Sequence, residues 1–220
     1  MRRAGSTRGI ERAVRLLALV LVGFSAGAGA DPAAAGEFRS GFGFGISVPD
    51  VWLVLTRGEV ERNSELFLAE DGGGVADLER IPLAMRRTVF DRIRAGELEI
   101  FYRRESDSDV FVDNVNFLLQ PADLPSTREQ LDGVCRLLPG EFSRIFGRPI
   151  AMEACEMRDR ARRPALYLQF EGAVPGTTTM QYQLPRDRDE TLVITATTAR
   201  ASLPRMQDEL EGMVESIRID

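Results

Sequence analysis

Two cysteines, Cys135 and Cys155, are the first residues of the chain whose chemistry could matter. In an oxidising compartment, two thiols in one domain invite a disulfide. The spacing permits one. Cys135 lies about 16 Å back from the end of a helix expected to stop near Phe146. Cys155 lies about 16 Å into a strand expected to start at Ile150. A helix packed antiparallel over that strand would bring the two level. A bridge would close a loop of about 20 residues and stabilise by about 3 kcal/mol in the chain-entropy model. Two buried free thiols are the alternative, and the sequence leaves the choice open.

The acidic run Glu105-Ser106-Asp107-Ser108-Asp109 could gather oxygen ligands for Ca²⁺, with Asp107 and Asp109 as its carboxylates. The EF-hand pattern fails there, because Val110 stands where the sharp turn needs Gly and Asn116 where a bidentate Glu belongs. A solvated hairpin turn explains the run better, and no other metal ligand set is visible. Glu97 and Glu99 share one face of an expected strand. A glycosidase-type pair needs carboxyl groups on opposite sides of a cleft, so these two are expected to face solvent. Asp113, Asn114 and Asn116 could line a binding site, or could be the polar side of a half-buried strand. Trp52, the single Trp, is expected in the core at the head of a strand rather than at an exposed binding spot. Asp71-Gly72-Gly73-Gly74 reads as a turn, not a phosphate cradle.

Two absences bound the chemistry further. The chain has no His and no Lys, so all 28 basic residues are Arg. Ser-His-Asp and Cys-His catalysis and His-containing zinc sites are thereby excluded. Schiff-base chemistry and a P-loop, which need Lys, are excluded as well. Arginine stays charged and rarely serves as a base. Carboxylates, Tyr and the two cysteines are what remains for catalysis. No catalytic residue and no cofactor are assigned.

Residues 1–30 read as a secretory signal peptide. Arg2, Arg3, Arg8, Arg12 and Arg15 form a basic start, Leu16 to Phe24 is a short apolar run, and Ala28-Gly29-Ala30 fits the small-x-small cleavage pattern. A retained anchor is the competing reading, but glycine and alanine dilute the apolar run too early for a spanning helix. Of the 28 basic and 34 acidic residues, five and one fall in this leader, so the mature part carries a net charge of −10. Such a domain repels phosphate backbones, which disfavours nucleic acid as a partner. Nothing after the leader is apolar for long enough to insert stably in a bilayer.

The elements that must position these residues alternate in type. Residues 31–41 are expected to be a flexible tail, and residues 42–220 one domain. Strands are expected at Phe44–Val48, Trp52–Thr56, Glu65–Ala69, Glu97–Arg103 and Val110–Leu119. Further strands are expected at Ile150–Met157, Ala165–Phe170, Met180–Leu184 and Leu192–Thr197. Pro82–Ala95 reads as a helix with Leu83, Val89, Phe90 and Ile93 on its buried stripe and its arginines elsewhere. Ser126-Thr127-Arg128-Glu129 reads as a capping box that opens a second helix, with Pro139-Gly140 kinking or interrupting it. A third runs from about Leu203 to Ser216, capped by Ser202, with Met206, Leu210, Met213, Val214 and Ile217 on one stripe. This order predicts an α+β domain in which helices cover an antiparallel sheet.

Three segments carry a family resemblance. FGISVPDVW (Phe44 to Trp52) resembles the F-x-I-x-V-P-x-x-W opening of the PsbP-like superfamily, the fold of the PsbP, DcrB, LpqN and Mog-type proteins. FVDNVNF (Phe111 to Phe117) is similar to its D-N-V-N strand, and Val214-Glu215-Ser216-Ile217 to the end of its closing helix. The resemblance implies a helix–antiparallel sheet–helix sandwich used as an accessory or docking module, generally without catalysis. The helix at 82–95 departs from that pattern as an insertion. Leader, missing residue types and resemblance together point to a periplasmic or secreted, non-catalytic binding module with a protein partner in the cell envelope. A carboxylate-dependent hydrolase, or a carrier of a small apolar ligand, is the alternative.

Overall fold

The computed structural model describes residues 35–69, 79, 81–104, 106 and 111–219. The leader therefore lies outside the described residues, as do Asp107, Asp109 and the triple glycine.

Ten strands make two antiparallel sheets among the described residues. Strands β1 (Ala35–Arg39) and β2 (Phe44–Pro49) pair with the short terminal strand β10 (Arg218–Ile219) in the order β1-β2-β10. The large sheet comprises β3 (Trp52–Leu55), β4 (Glu99–Arg103), β5 (Asn114–Gln120), β6 (Met152–Arg160), β7 (Arg163–Glu171), β8 (Thr177–Pro185) and β9 (Thr191–Ala199). Its order is β3-β4-β5-β9-β8-β7-β6. Two meanders thus meet where β5 lies beside β9. The helices are α1 (Arg57–Arg62), α2 (Ser64–Leu68), α3 (Leu83–Arg94), α4 (Arg128–Phe146) and α5 (Leu203–Glu215).

One face of the large sheet carries α5 and the small sheet. Phe101, Val115, Phe117, Tyr167, Met180, Tyr182 and Ile194 pack there against Phe44, Ile46, Met206, Leu210 and Val214. The other face carries two separate covers. Helices α1, α2 and α3 sit over β3 and β4 through Val60, Phe67, Phe90 and Ile93. Helix α4 sits over β6 and β7 through Leu138 and Phe142, whose ring stacks on Phe170 at 4.3 Å. The α+β class and the helix-covered antiparallel sheet read from the sequence are what the structure has.

Several local expectations are corrected. The tail expected over 31–41 is a strand from Ala35 to Arg39, because Phe38 docks edge-on to Phe101 at 5.6 Å and holds the segment along β2. The strand expected at Glu65–Ala69 is helical. Thr56 caps α1 by accepting from the Glu59 N–H, and Phe67 stacks on Phe90 of α3 at 5.9 Å. Arg86 lies within the buried stripe of α3 rather than off it. Its guanidinium donates to the carbonyls of Ile81, Phe67 and Ala69, which makes burial tolerable. Helix α4 begins one residue later than the expected box. Thr127 accepts from the Gln130 N–H, and Gln130 reaches back to the Ser126 N–H at 2.8 Å, a capping box of the same logic with different members. Ser202 precedes α5 without a side-chain capping bond, Pro204 standing in the first turn instead.

Strand β6 is an edge, with a register shift between Met152 and Ala154 and no buried residue along its length. Its hairpin to β7 turns through Ala161 and Arg162, both at positive φ, and the Ala161 N–H donates to Glu215 of α5 at 3.2 Å. Helix α4 is joined to β6 by the Cys135–Cys155 disulfide, with the two Cα atoms 5.7 Å apart. The choice left open by the sequence falls to the bridge. No described helix is long and apolar enough to cross a membrane.

Candidate functional site

The four residues singled out as candidate binding residues fall on opposite faces of the large sheet. Side chains alternate along a strand, so Asp113 and its neighbour Asn114 must point apart. Asp113 and Trp52 face α5; Asn114 and Asn116 face the two helical covers.

On the α5 face most polar groups are tied to one another, while the fully buried Thr178 hydroxyl makes no hydrogen bond. Asp113 is fully buried and accepts from the Thr198 hydroxyl at 2.8 Å, with the Arg205 guanidinium 3.5 Å away. Burial pushes its carboxyl above the ordinary aspartate range, against the lowering pull of Thr198, Arg205 and Arg103. Trp52 is buried in the apolar core, and its indole N–H donates to Glu209 at 3.2 Å. The same Glu209 takes a forked contact from Arg103, at 3.2 and 3.3 Å. Glu99 is buried as well, contrary to the solvent-facing position expected for it. It accepts from the Ser40 hydroxyl at 2.5 Å and from the Gly41 N–H at 2.8 Å, so the carboxylate holds the β1–β2 turn down on β4. Burial raises its pKa, and the two hydrogen bonds oppose that rise. Glu97 lies outside the strand and is exposed beside Arg92, so the two glutamates form no pair.

The opposite face has a different character between its covers. Strand register lays two rows across it. The first runs Tyr102, Asn114, Thr197, Thr179, Phe170; the second runs Ile100, Asn116, Thr195, Gln181, Leu168. All ten are buried. Each row is apolar or aromatic at its ends, under the helices, and hydroxyl- or amide-bearing at its centre. None of the ten carries a charge. Part of each row is internally bonded: Gln181 donates to Thr195 at 2.9 Å, the Thr179 and Thr197 hydroxyls are 3.2 Å apart, and Asn114 donates to the Val112 carbonyl at 3.1 Å. The Asn116 amide and the Tyr102 hydroxyl make no hydrogen bond to any described residue. Burial pushes the Tyr102 phenol far above its ordinary range, so it stays protonated.

The sequence reading noticed only the Asn114 and Asn116 members of these rows. A signal for the others was present: Thr177, Thr179, Gln181 and Gln183 alternate along one strand, and Thr195 and Thr197 along its neighbour. Among the described residues no cluster of Cys, Asp and Glu is placed to hold a metal ion.

No protein-family model matches the chain, and a search of curated proteins finds no match. Several solved structures are similar to the chain at low identity. Cyanobacterial PsbP from Synechocystis sp. PCC 6803 is 11% identical, with a TM-score of 0.49, covering 89% of this chain and 98% of that one. LpqN of Mycobacterium tuberculosis, described as involved in cell envelope biogenesis, is 12% identical, with a TM-score of 0.46 over 98% of this chain and 97% of that one. The Saccharomyces cerevisiae Ran-binding protein Mog1p is 9% identical, with a TM-score of 0.46 over 85% of this chain and 96% of that one. Likeness at this level concerns the arrangement of elements and transfers no activity.

Proposed function

We propose that the chain is an exported, non-catalytic binding module that docks a protein partner in the cell envelope. The observation that carries the reading is how the buried carboxylates are used. Asp113 and Glu99 both sit on the face packed by α5 and the small sheet, each held by hydroxyl or backbone donors, and Asp113 and Glu209 are separated by the Arg205 guanidinium. In a chain without His or Lys, this use of the buried carboxylates among the described residues favours binding over turnover. The leader read from the sequence and the Cys135–Cys155 bridge support an exported, oxidising location. On this reading the −10 charge of the mature part favours a partner with a basic surface.

The test is made in the producing cell. The mature protein should be recovered outside the cytoplasm without residues 1–30. A photo-crosslinker at Leu137, which is 56% exposed on α4, should trap one envelope protein reproducibly. Turnover of ester, glycoside or peptide substrates by the purified protein, lost on Asp113→Asn, would replace the reading with a hydrolase.

A further inference from the structure

Among the described residues the two sheets end in four strands, and these edges differ in what they offer another chain. An edge strand presents backbone N–H and C=O groups that no neighbouring strand takes up. Strand β10 is two residues long and β3 four, so neither offers much of a template. Strand β6 is longer, but its register shifts between Met152 and Ala154, and its exposed positions Glu153, Glu156 and Asp159 are all acidic. Strand β1 is different. Its five residues pair with β2 in unbroken register, and Gly36, Glu37 and Arg39 are exposed. The direction of its backbone groups follows from β2. The Ser47 N–H donates to the Ser216 hydroxyl at 2.9 Å, on the side of β2 where β10 lies. Its partner Glu37 therefore stands in a non-hydrogen-bonded pair and turns its N–H and C=O toward the open edge, as do Ala35 and Arg39 on either side of it.

We propose that β1 is a self-association surface, and that its occupant is β1 of a second copy, paired antiparallel about a two-fold axis at Phe38. Charge and register select this arrangement together. Only edge-facing residues can exchange hydrogen bonds, so the possible registers differ by steps of two residues. One of them sets Glu37 opposite Glu37 of the second copy, and another sets Arg39 opposite Arg39. The register between those two sets Glu37 opposite Arg39 of the second copy, and Arg39 opposite its Glu37. Both hydrogen-bonded pairs are then pairs of opposite charge, and the two-fold makes the strand its own complement. Glu37 already lies 3.5 Å from Arg218 on the solvent side of the small sheet, so its carboxylate would be shared between that guanidinium and the second copy's arginine. On the other side Phe38 is half-buried, edge-on to Phe101. The non-hydrogen-bonded pair at the axis is the closer kind, so each Phe38 covers part of what the other leaves exposed. A contact this short is smaller than a standard stable interface, so the dimer forms in a concentration-dependent way.

The experiment is sedimentation of the protein as recovered from the producing cell, with charge exchanges at the two positions. The parent should pass from monomer to dimer between roughly 10 μM and 1 mM. Glu37→Arg alone, or Arg39→Glu alone, turns both pairs into like charges and should weaken dimerisation about tenfold or more. Combining the two changes in one chain restores opposite charges with their signs exchanged, and that variant should dimerise like the parent. An equal mixture of the two single variants should form a heterodimer, since the arginines of one chain then face the glutamates of the other. Hydrogen exchange in the unaltered parent gives a reading that needs no variant. The Glu37 amide should exchange more slowly as concentration rises, while the Phe38 amide, already bonded to β2, stays unchanged. A parent that remains monomeric at the highest concentration overturns the proposal, as does Glu37 exchange that ignores concentration. Dimerisation that survives the single exchanges, or a mixture that stays monomeric, overturns it as well. The crosslinking result at Leu137 on α4 neither requires nor excludes this surface, so each reading can fail alone.

Discussion

The two faces of the seven-stranded sheet solve the problem of burial in opposite ways. Toward α5 the face is apolar at its centre, where Phe101, Phe117, Ile194 and Met180 interlock with Phe44 and Met206, and most of its polar groups are paired, Asp113 with Thr198 and Arg103 with Glu209. Toward the other covers the apolar residues sit at the margins, under α1–α3 and α4, and the polar groups occupy the centre. A face built only to stabilise would place its Thr, Asn and Gln residues outside and its Leu and Val residues inside. The second face stays buried at its centre while filling it with hydrogen-bonding side chains.

The sharpest way to break this comparison is a pair of truncations. Phe117→Ala removes a fully buried ring from the α5 face, next to Phe101 at 4.7 Å, and should cost about 3–5 kcal/mol in denaturant unfolding. If Leu168→Ala on the opposite face, which removes a fully buried side chain there, costs more, the α5 face is not the stabilising one. Next comes the bridge. Replacing Cys135 and Cys155 by Ser should lower stability by about 3 kcal/mol, and hydrogen exchange should speed up in α4 and β6 while β2 and α5 keep their protection. Uniform acceleration across both faces would mean the bridge stabilises the whole domain rather than one cover. Gly172→Ala tests the end of the polar rows. A Cβ there would meet the Thr177 hydroxyl at 2.1 Å and the Thr179 hydroxyl at 3.2 Å, so a loss of about 1–3 kcal/mol is expected, with resonance shifts spreading to Thr197.

The smallest effect concerns pH and belongs to the α5 face. Burial raises the Glu99 pKa, so between its unfolded and folded values the native state holds the proton that the unfolded state releases. Stability from this group is complete below the ordinary glutamate range and is lost as pH rises through the raised value. Thermal melts followed from acid to neutral pH should show a shallower decline for Glu99→Gln than for the parent. Parallel curves would place the charge cost of Glu99 at nothing.

Strong periodicity made much of the fold readable beforehand. The stripe Met206, Leu210, Met213, Val214 repeats at helical spacing, and all four are buried on α5 as that spacing requires. The four late strands expected between Ile150 and Thr197 are all present as β6 to β9. Short amphipathic runs were not decidable in this way. Glu65–Ala69 fits strand and helix equally over five residues, and only the cap at Thr56 and the Phe67–Phe90 stack settle it as helix. Glu99 misled for a related reason: a carboxylate at an alternating position looks solvated until Ser40 and Gly41, far away in sequence, arrive to bind it. The candidate site was legible only in its Asn114 and Asn116 members. The remaining residues of the two rows line up through strand register, which brings β9 beside β5 and β8 beside β9, and a single strand's pattern does not contain that pairing.

The charged edge at β6 has a consequence for how any partner can approach. An exposed edge strand invites another chain to extend the sheet by backbone pairing. Along β6 the exposed positions are Glu153, Glu156 and Asp159, and the register shift after Met152 breaks the even spacing of its free backbone groups. An incoming strand would have to crowd Glu153, Glu156 and Asp159, two of them paired to Arg200 and Arg158, and follow a bent template. Sheet extension is therefore disfavoured at this end of the molecule, the same charged, bulged edge that keeps strands from pairing edge to edge in other sheets.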